Sequence, residues 1–287
     1  MSKDLTKTPS IILLNIIALV FLASNSILCK LAIVNHYADA YSFTFLRLVF
    51  AALTLFFIVS LKERAVDLTL NKNWSSAFFL FLYAITFSYA YINLDAGLGT
   101  LILFAFVQLT ITFYAIMNKE KICFKQAFGI LTALLGLLYL FYPKDNFTIS
   151  MEGFILITIA GISWGAYTIL GKKSENALKD TNENFLKTIP FLFIYLLIFP
   201  INIEINIDGL ILSFLSGAIT SAIGYVIWYK VLDNISILTA GVIQLIVPVV
   251  AIFLSIILLN EPITITLLVS TALILIGIYL TIKKSVV

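Results

Sequence analysis

Charged residues are scarce in this chain: Asp, Glu, Lys and Arg make up 11% of its 287 residues, against 61% hydrophobic. A water-facing globule carries about 25% charged residues to solvate its surface, so a soluble domain is excluded. The mean hydropathy of +1.08 excludes disorder as well. One histidine and two cysteines leave almost no material for a zinc site, an imidazole-based active site or a disulfide framework. No phosphate-cradling glycine loop, nucleophile elbow or metal-ligand spacing occurs, so no cofactor, metal site or nucleic-acid partner is expected. What remains is an integral membrane protein whose partners are the lipid bilayer and a small-molecule substrate.

A helix that crosses the hydrocarbon core needs about 20 apolar residues. Ten such segments follow one another at roughly 11–34, 41–61, 74–92, 97–117, 124–142, 152–172, 184–200, 208–229, 236–258 and 264–282. The runs are continuously apolar, which argues against a barrel with alternating faces. The loops are too short to fold as an aqueous domain. Lys3 and Lys7 ahead of Ile11–Ala23 resemble a secretory leader, with Ser24-Asn25-Ser26 as a small-residue cleavage site. Apolarity resumes at Ile27, however, and a retained first helix is the expectation. Cys29 and Cys123 then lie at opposite membrane levels, too far apart to pair.

With the N-terminus inside, the inner tails and loops hold fifteen of the eighteen basic residues, Lys187 among them, and leave Lys30, Arg47 and Lys144 outside. That asymmetry predicts cytoplasmic termini, with residues 1–10 as a cytoplasmic tail. The chain also repeats itself. Tyr91-Ile92-Asn93-Leu94-Asp95 recurs as Tyr229-Lys230-Val231-Leu232-Asp233, and Asn118-Lys119-Glu120 as Asn260-Glu261. Each of these glutamates precedes a glycine by sixteen residues, Gly136 and Gly277. Phe45-Leu46-Arg47 matches Phe185-Leu186-Lys187, and Lys30 and Lys172 each end a first helix. Two halves, 11–142 and 152–282, each hold five spans. Five is odd, so the second half enters the membrane inverted. The expected fold is all-α, with ten transmembrane helices as two inverted five-helix repeats, an architecture of secondary transporters.

These residues resemble the EamA-like family of the drug/metabolite transporter superfamily. The likeness rests on Ser24-Asn25 with Lys30, on Phe45-Leu46-Arg47, on Asn260-Glu261-Pro262 and on Pro248. Two features depart from the family pattern: Phe21-Leu22 stands where Trp-Gly is common, and the first half has no proline matching Pro248. The resemblance implies carriage of amino acids, nucleotide-derived metabolites, small cations or toxic compounds, as import or export.

All fifteen carboxylates are expected in a tail, a loop or the end turn of a helix, so proton antiport through a mid-span acid loses support. Arg47 lies about six residues into the second helix, roughly 9 Å from its outer end. It is read either as an outer-vestibule anion receptor or as a structural partner of Asp39 or Asp95. Lys30 is read as snorkelling. Near the midplane the candidate substrate-binding side chains are Asn25, Tyr83, Gln108, Trp164, Tyr167 and Gln244, with interhelical packing as the alternative for the amides. Trp164 and Tyr167, flanked by Gly161 and Gly165, are expected to line a cavity. Pro248 cannot donate to the carbonyl of Gln244, which would leave that oxygen free. Glu261 is expected in the first turn of the last helix behind an Asn260 N-cap. His36 is read as a solvated loop residue.

The leading reading is a secondary transporter of a small polar metabolite, amino acids first, working by alternating access at the cell membrane. The alternatives are carriage of small cations, nucleotide-derived metabolites or toxic compounds, a lipid-modifying enzyme, which would need a deep acid, base or metal, and a receptor or scaffold without flux. Monomer and homodimer stay equally open.

Overall fold

The computed structural model describes residues 9–62, 74–118, 124–141, 150–199 and 203–281. Among these residues the regular structure is helical. The order is α1 (Pro9–Val34), α2 (Ala40–Lys62), α3 (Trp74–Asn93), α4 (Ala96–Met117), α5 (Phe124–Phe141) and α6 (Met151–Gly171). Then come α7 (Ala177–Ile198), α8 (Ile207–Phe214), a π-helical segment (Leu215–Ile223), α9 (Gly224–Asn234), α10 (Ile237–Ile243), α11 (Ile246–Leu259) and α12 (Ile265–Thr281). Helices are what apolar runs must form in lipid, because only they satisfy every backbone group within the segment. Seven stretches among the described residues are long and apolar enough to cross a membrane: α1, α2, α3, α4, α6, the α8–π–α9 rod and the α10–α11 pair.

The α10–α11 break falls where Pro248 predicts it. The carbonyl of Gln244 is not free, though: it accepts from the Val247 amide at 3.0 Å, a tight turn that substitutes for the missing bond.

Two further expectations need correcting. The helix expected from residue 184 starts at Ala177, capped by the Asn176 side chain, which accepts from the Lys179 amide at 3.2 Å. Its first two turns are polar and resemble a loop in sequence, but Asp180 suits the positive end of the helix dipole. Glu183 and Lys187 are thereby brought into the helix one turn apart, and Lys187 is buried rather than in an inner loop. The second correction concerns Asn260, which closes α11 in the left-handed region (φ 53°, ψ 32°) and caps no helix N-terminus. The amide of Leu267 in α12 bonds instead to the Thr264 hydroxyl at 3.0 Å. The Glu261 carboxylate accepts from the Ala96 and Gly97 amides at the start of α4. The adjacent Asp95 contributes no side-chain cap there, so Glu261 meets free N–H groups and the positive end of a long helix. Glu120 and Cys123 lie outside the described residues.

Helices pair across the midpoint of the chain: α5 with α12, α3 with α6, α2 with α7, and α1 with the π segment and α9. At the α5–α12 contact a Cβ on Gly136 would meet Ile274 and Leu273, and one on Gly277 would overlap the Ala133 amide nitrogen. The two glycines that follow the repeated glutamates therefore serve one close crossing.

The two ends of the bundle differ. At one end the α1–α2 and α7–α8 loops pair as a short antiparallel bridge, Ala38 with Ile205. There the Asp39 amide donates to the Glu204 carbonyl at 2.9 Å, and the Glu204 amide to Asp39 Oδ2 at 2.8 Å. Asp39 Oδ1 meanwhile caps α2 through the Tyr41 and Ser42 amides. His36 is exposed at this turn, with φ 55°. The opposite end, formed by the α6–α7 loop and the end of α9, holds two cavities of about 570 and 410 Å³.

Candidate functional site

The interior is organised by two rows of side chains at four-residue steps, the spacing that keeps residues on one helix face. Along α3 run Tyr83, Phe87 and Tyr91, and along the π segment and α9 run Ser221, Tyr225 and Tyr229. The second row lies 138 residues after the first, the same offset that relates Asp95 to Asp233. Arg47 enters from α2 between the rows and is 1% exposed. Its Nε donates to Ser221 Oγ at 2.9 Å, and its Nη2 to the Tyr225 hydroxyl at 2.8 Å and the Tyr83 hydroxyl at 3.4 Å. Its Cζ lies 5.3 Å from the Phe87 ring centroid and 5.5 Å from that of Tyr83, within cation–π range.

Neither Asp39 nor Asp95 reaches Arg47. Asp39 is committed to the loop bridge and the α2 cap, and Asp95 stands at the start of α4. Among the described residues the cation has no carboxylate in ion-pair range, and its Nη1 has no hydrogen-bond partner. Nor does it sit in an open outer vestibule: the rings it touches are buried with it, Tyr83 4%, Phe87 1% and Tyr225 0% exposed, and Trp164 and Tyr167 pack behind them.

Trp164 connects this centre to a second amide. Its ring centroid is 4.9 Å from Tyr83, 4.8 Å from Tyr225 and 5.4 Å from Tyr167. Its indole N–H donates to Gln244 Oε1 at 2.7 Å, and Gln244 Nε2 donates to the Ala240 carbonyl at 3.2 Å. The glycines beside Trp164 serve packing. A Cβ on Gly161 would crowd the Leu103 carbonyl, and one on Gly165 would press on Thr110, so α6 lies tight against α4.

Asn25 stands below Arg47. Its Oδ1 accepts from Ser216 (2.7 Å), Thr220 (2.7 Å) and Ser221 (3.2 Å). The π turn is what brings these hydroxyls onto one atom, since its wider turn, with i→i+5 bonding, aligns residues five apart as well as four apart. Through Ser221, which also accepts from Arg47, Asn25 anchors the cation. Gln108 is separate: its Nε2 donates to Thr112 at 3.3 Å, its Oε1 has no hydrogen-bond partner among the described residues, and it presses against Gly241.

The structure thus brings Asn25, Arg47, Tyr83, Trp164, Tyr167 and Gln244 into one contiguous cluster and leaves Gln108 on the α4–α10 contact. Sequence reasoning missed Phe87, Ser221, Tyr225 and Tyr229. The four-residue spacing repeated at the 138-residue offset was the signal that could have found them. Lys30 is held by the chain's own backbone, its Nζ donating to the Tyr91 carbonyl at the end of α3 (3.1 Å). Lys172 does the same to the carbonyls of Leu232 (2.8 Å) and Asp233 (3.3 Å) at the end of α9. Chemically, the cluster offers a buried cation with one unused donor edge, hydroxyls and ring faces. It suits the binding of an anion or dipolar molecule.

The model of the EamA-like transporter family matches residues 9–142 and again 151–283. An uncharacterized protein of Pseudomonas aeruginosa is 37% identical over 269 residues, spanning 94% of this chain and 93% of its own. Proteins of Salmonella typhimurium and Escherichia coli, each named "probable amino-acid metabolite efflux pump", are 27% and 29% identical, across 82% of this chain and 83% of theirs. A crystal structure 17% identical in sequence aligns with a TM-score of 0.67 over 95% of this chain and 97% of that one, a likeness of fold.

Proposed function

The chain belongs to the EamA-like transporter family and is a multi-pass membrane transporter; from that premise we propose that it moves a small carboxylate-bearing metabolite, amino acids first, by alternating access around Arg47. The observation that carries this reading is the buried guanidinium, which among the described residues has no carboxylate partner and an unused Nη1. A charged donor left unsatisfied away from water is costly. A substrate carboxylate offers Arg the planar, two-oxygen acceptor its fork matches. The amino-acid choice is supported by the names of the Salmonella and Escherichia relatives.

The architecture we propose is ten spans in two inverted halves, 11–142 and 152–282, with both termini cytoplasmic. Paired features support it. Lys30 bonds the end of α3 as Lys172 bonds the end of α9. Gly136 and Gly277 serve one crossing, and Arg47 lies between Tyr83/Phe87 and Ser221/Tyr225. Inverted halves give one chain two related states, each open to one side of a central site. In this reading the loop bridge closes the outer side and the cavities face the cytoplasm. No catalytic step is assigned.

The test is flux of radiolabelled amino acids into proteoliposomes, with Arg47→Gln beside the wild type. Losing a hydrogen bond to a charged group costs about 1.5–3 kcal/mol, or roughly ten-fold or more in affinity. Arg47→Gln should weaken substrate binding by that factor while melting in detergent stays near that of the wild type. A variant that melts early and keeps its affinity makes Arg47 structural, and a wild type that carries no amino acid refutes the substrate class.

A further inference from the structure

Arg47 puts a fixed positive charge at the centre of the bundle, and the groups that hold it are neutral. Its Nε and Nη2 donate to the hydroxyls of Ser221, Tyr225 and Tyr83, and the rings of Phe87 and Tyr83 lie within cation–π range. The Tyr225 hydroxyl itself donates to that of Tyr83 at 3.4 Å, so it meets the cation as a neutral phenol. The acids of the bundle are engaged elsewhere. Asp39 serves the loop bridge and the α2 cap, Glu261 takes the Ala96 and Gly97 amides, and Glu183 lies beside Lys187. Among the described residues the guanidinium is therefore satisfied along one edge and open at Nη1.

What that charge costs depends on the state of the carrier. While the site is open to either side, water can solvate the free edge. To pass from one side to the other the site must close, as it is closed here, with Arg47 1% exposed and the rings it touches buried with it. An ion shut off from water with no opposite charge is heavily penalised. A carboxylate on Nη1 removes that penalty through a charge-assisted bond. Closure is then fast with an anion bound and slow without one.

We infer that the protein is an exchanger: the passage of one carboxylate-bearing metabolite in one direction is coupled to the passage of a second in the other. The guanidinium is the coupling device, since a neutral side chain in its place would let the site close empty with no charge stranded. The second substrate has only to present a carboxylate to Nη1. The inference rests on the transporter reading with Arg47 as receptor, and it adds the mode of transport and the chemical class of the counter-substrate.

The experiment uses the full chain in liposomes, with the membrane potential clamped by potassium and valinomycin. Uptake of each of the twenty common amino acids, radiolabelled, is timed into vesicles holding buffer alone and into vesicles preloaded with the same compound unlabelled. For any amino acid carried, preloading should speed uptake at least roughly ten-fold, the factor that about 1.4 kcal/mol of barrier supplies. Preloading with the matching 2-oxo acid should do the same, and preloading with the decarboxylated amine should not. Arg47→Gln should bring the preloaded and empty rates close together, whereas Arg47→Lys, which keeps the charge, should preserve their ratio. A purely structural loss would lower both rates and leave the ratio unchanged. The wild-type comparison decides without any variant. Equal uptake into empty and preloaded vesicles, or equal stimulation by the amine, overturns the exchange and leaves the transporter reading standing. If no amino acid enters vesicles of either kind, the amino-acid reading falls and the exchange with it.

Discussion

Arg47 and Glu261 are charged residues with opposite solutions to burial. Arg47 has no counter-ion among the described residues and is held by phenol oxygens, a serine hydroxyl and two ring faces. Such contacts stabilise a cation without neutralising it, which leaves its charge available to a ligand. Glu261 instead finds two amides at the start of α4 and joins the α11–α12 loop to the first half of the chain. Replacing it by Ala would strip that cap, and caps are worth about 0.5–2 kcal/mol. Glu261→Ala should lower the melting temperature in detergent, and Glu261→Gln, which keeps an acceptor but loses the charge, should lower it less. Equal melting of both variants and the wild type would mean that water caps α4 just as well.

At the scale of elements, the π segment is the part whose geometry the site most depends on. It presents Ser216, Thr220 and Ser221 together to Asn25, and it lets Gly217 lie against the Arg47 carbonyl. A methyl group at 217 would overlap that carbonyl oxygen, which cannot move without moving α2. At Gly224 a methyl group would meet only the Phe21 side chain, at 3.0 Å, and a ring can turn aside. Overpacking of a tight contact costs about 1–3 kcal/mol. Gly217→Ala should therefore depress both melting temperature and flux, while Gly224→Ala should do so much less. Comparable losses at both positions would argue against a special role for the π contact.

For the whole molecule, the difference between its two ends sets the expected motion. One end is tied by the Ala38–Ile205 bridge and the two-way Asp39–Glu204 bonds, and the other holds both cavities. If transport requires the tied end to part, covalent closure must stop it. In a background free of Cys29 and Cys123, the pair Ala38→Cys/Ile205→Cys should cross-link under oxidation and lose flux, and reductant should restore it. Flux that continues through the cross-linked protein would show that the loop bridge is no gate.

The membrane class and most span positions were legible in sequence, because partition of an apolar run into lipid is a local property of about 20 residues. The prominence of Arg47 was legible too, as an arginine within an apolar run. The start of α7 was not, since the turns from Ala177 to Asn184 are polar and are helical through a cap and the helix dipole rather than through hydropathy. Partner choice was also beyond the sequence. In a chain apolar on nearly every face, periodicity does not say which helices touch. That Arg47 meets Ser221 and Tyr225, 174 and 178 residues away, follows from how α2 crosses the π segment that leads into α9. Sequence by itself determined that this is a helical membrane protein with repeated motifs and few charges to spend. Only the tertiary structure decided which of those charges are neutralised and which are left for a ligand, because that depends on which donors and acceptors the packed helices bring within about 3 Å of each other.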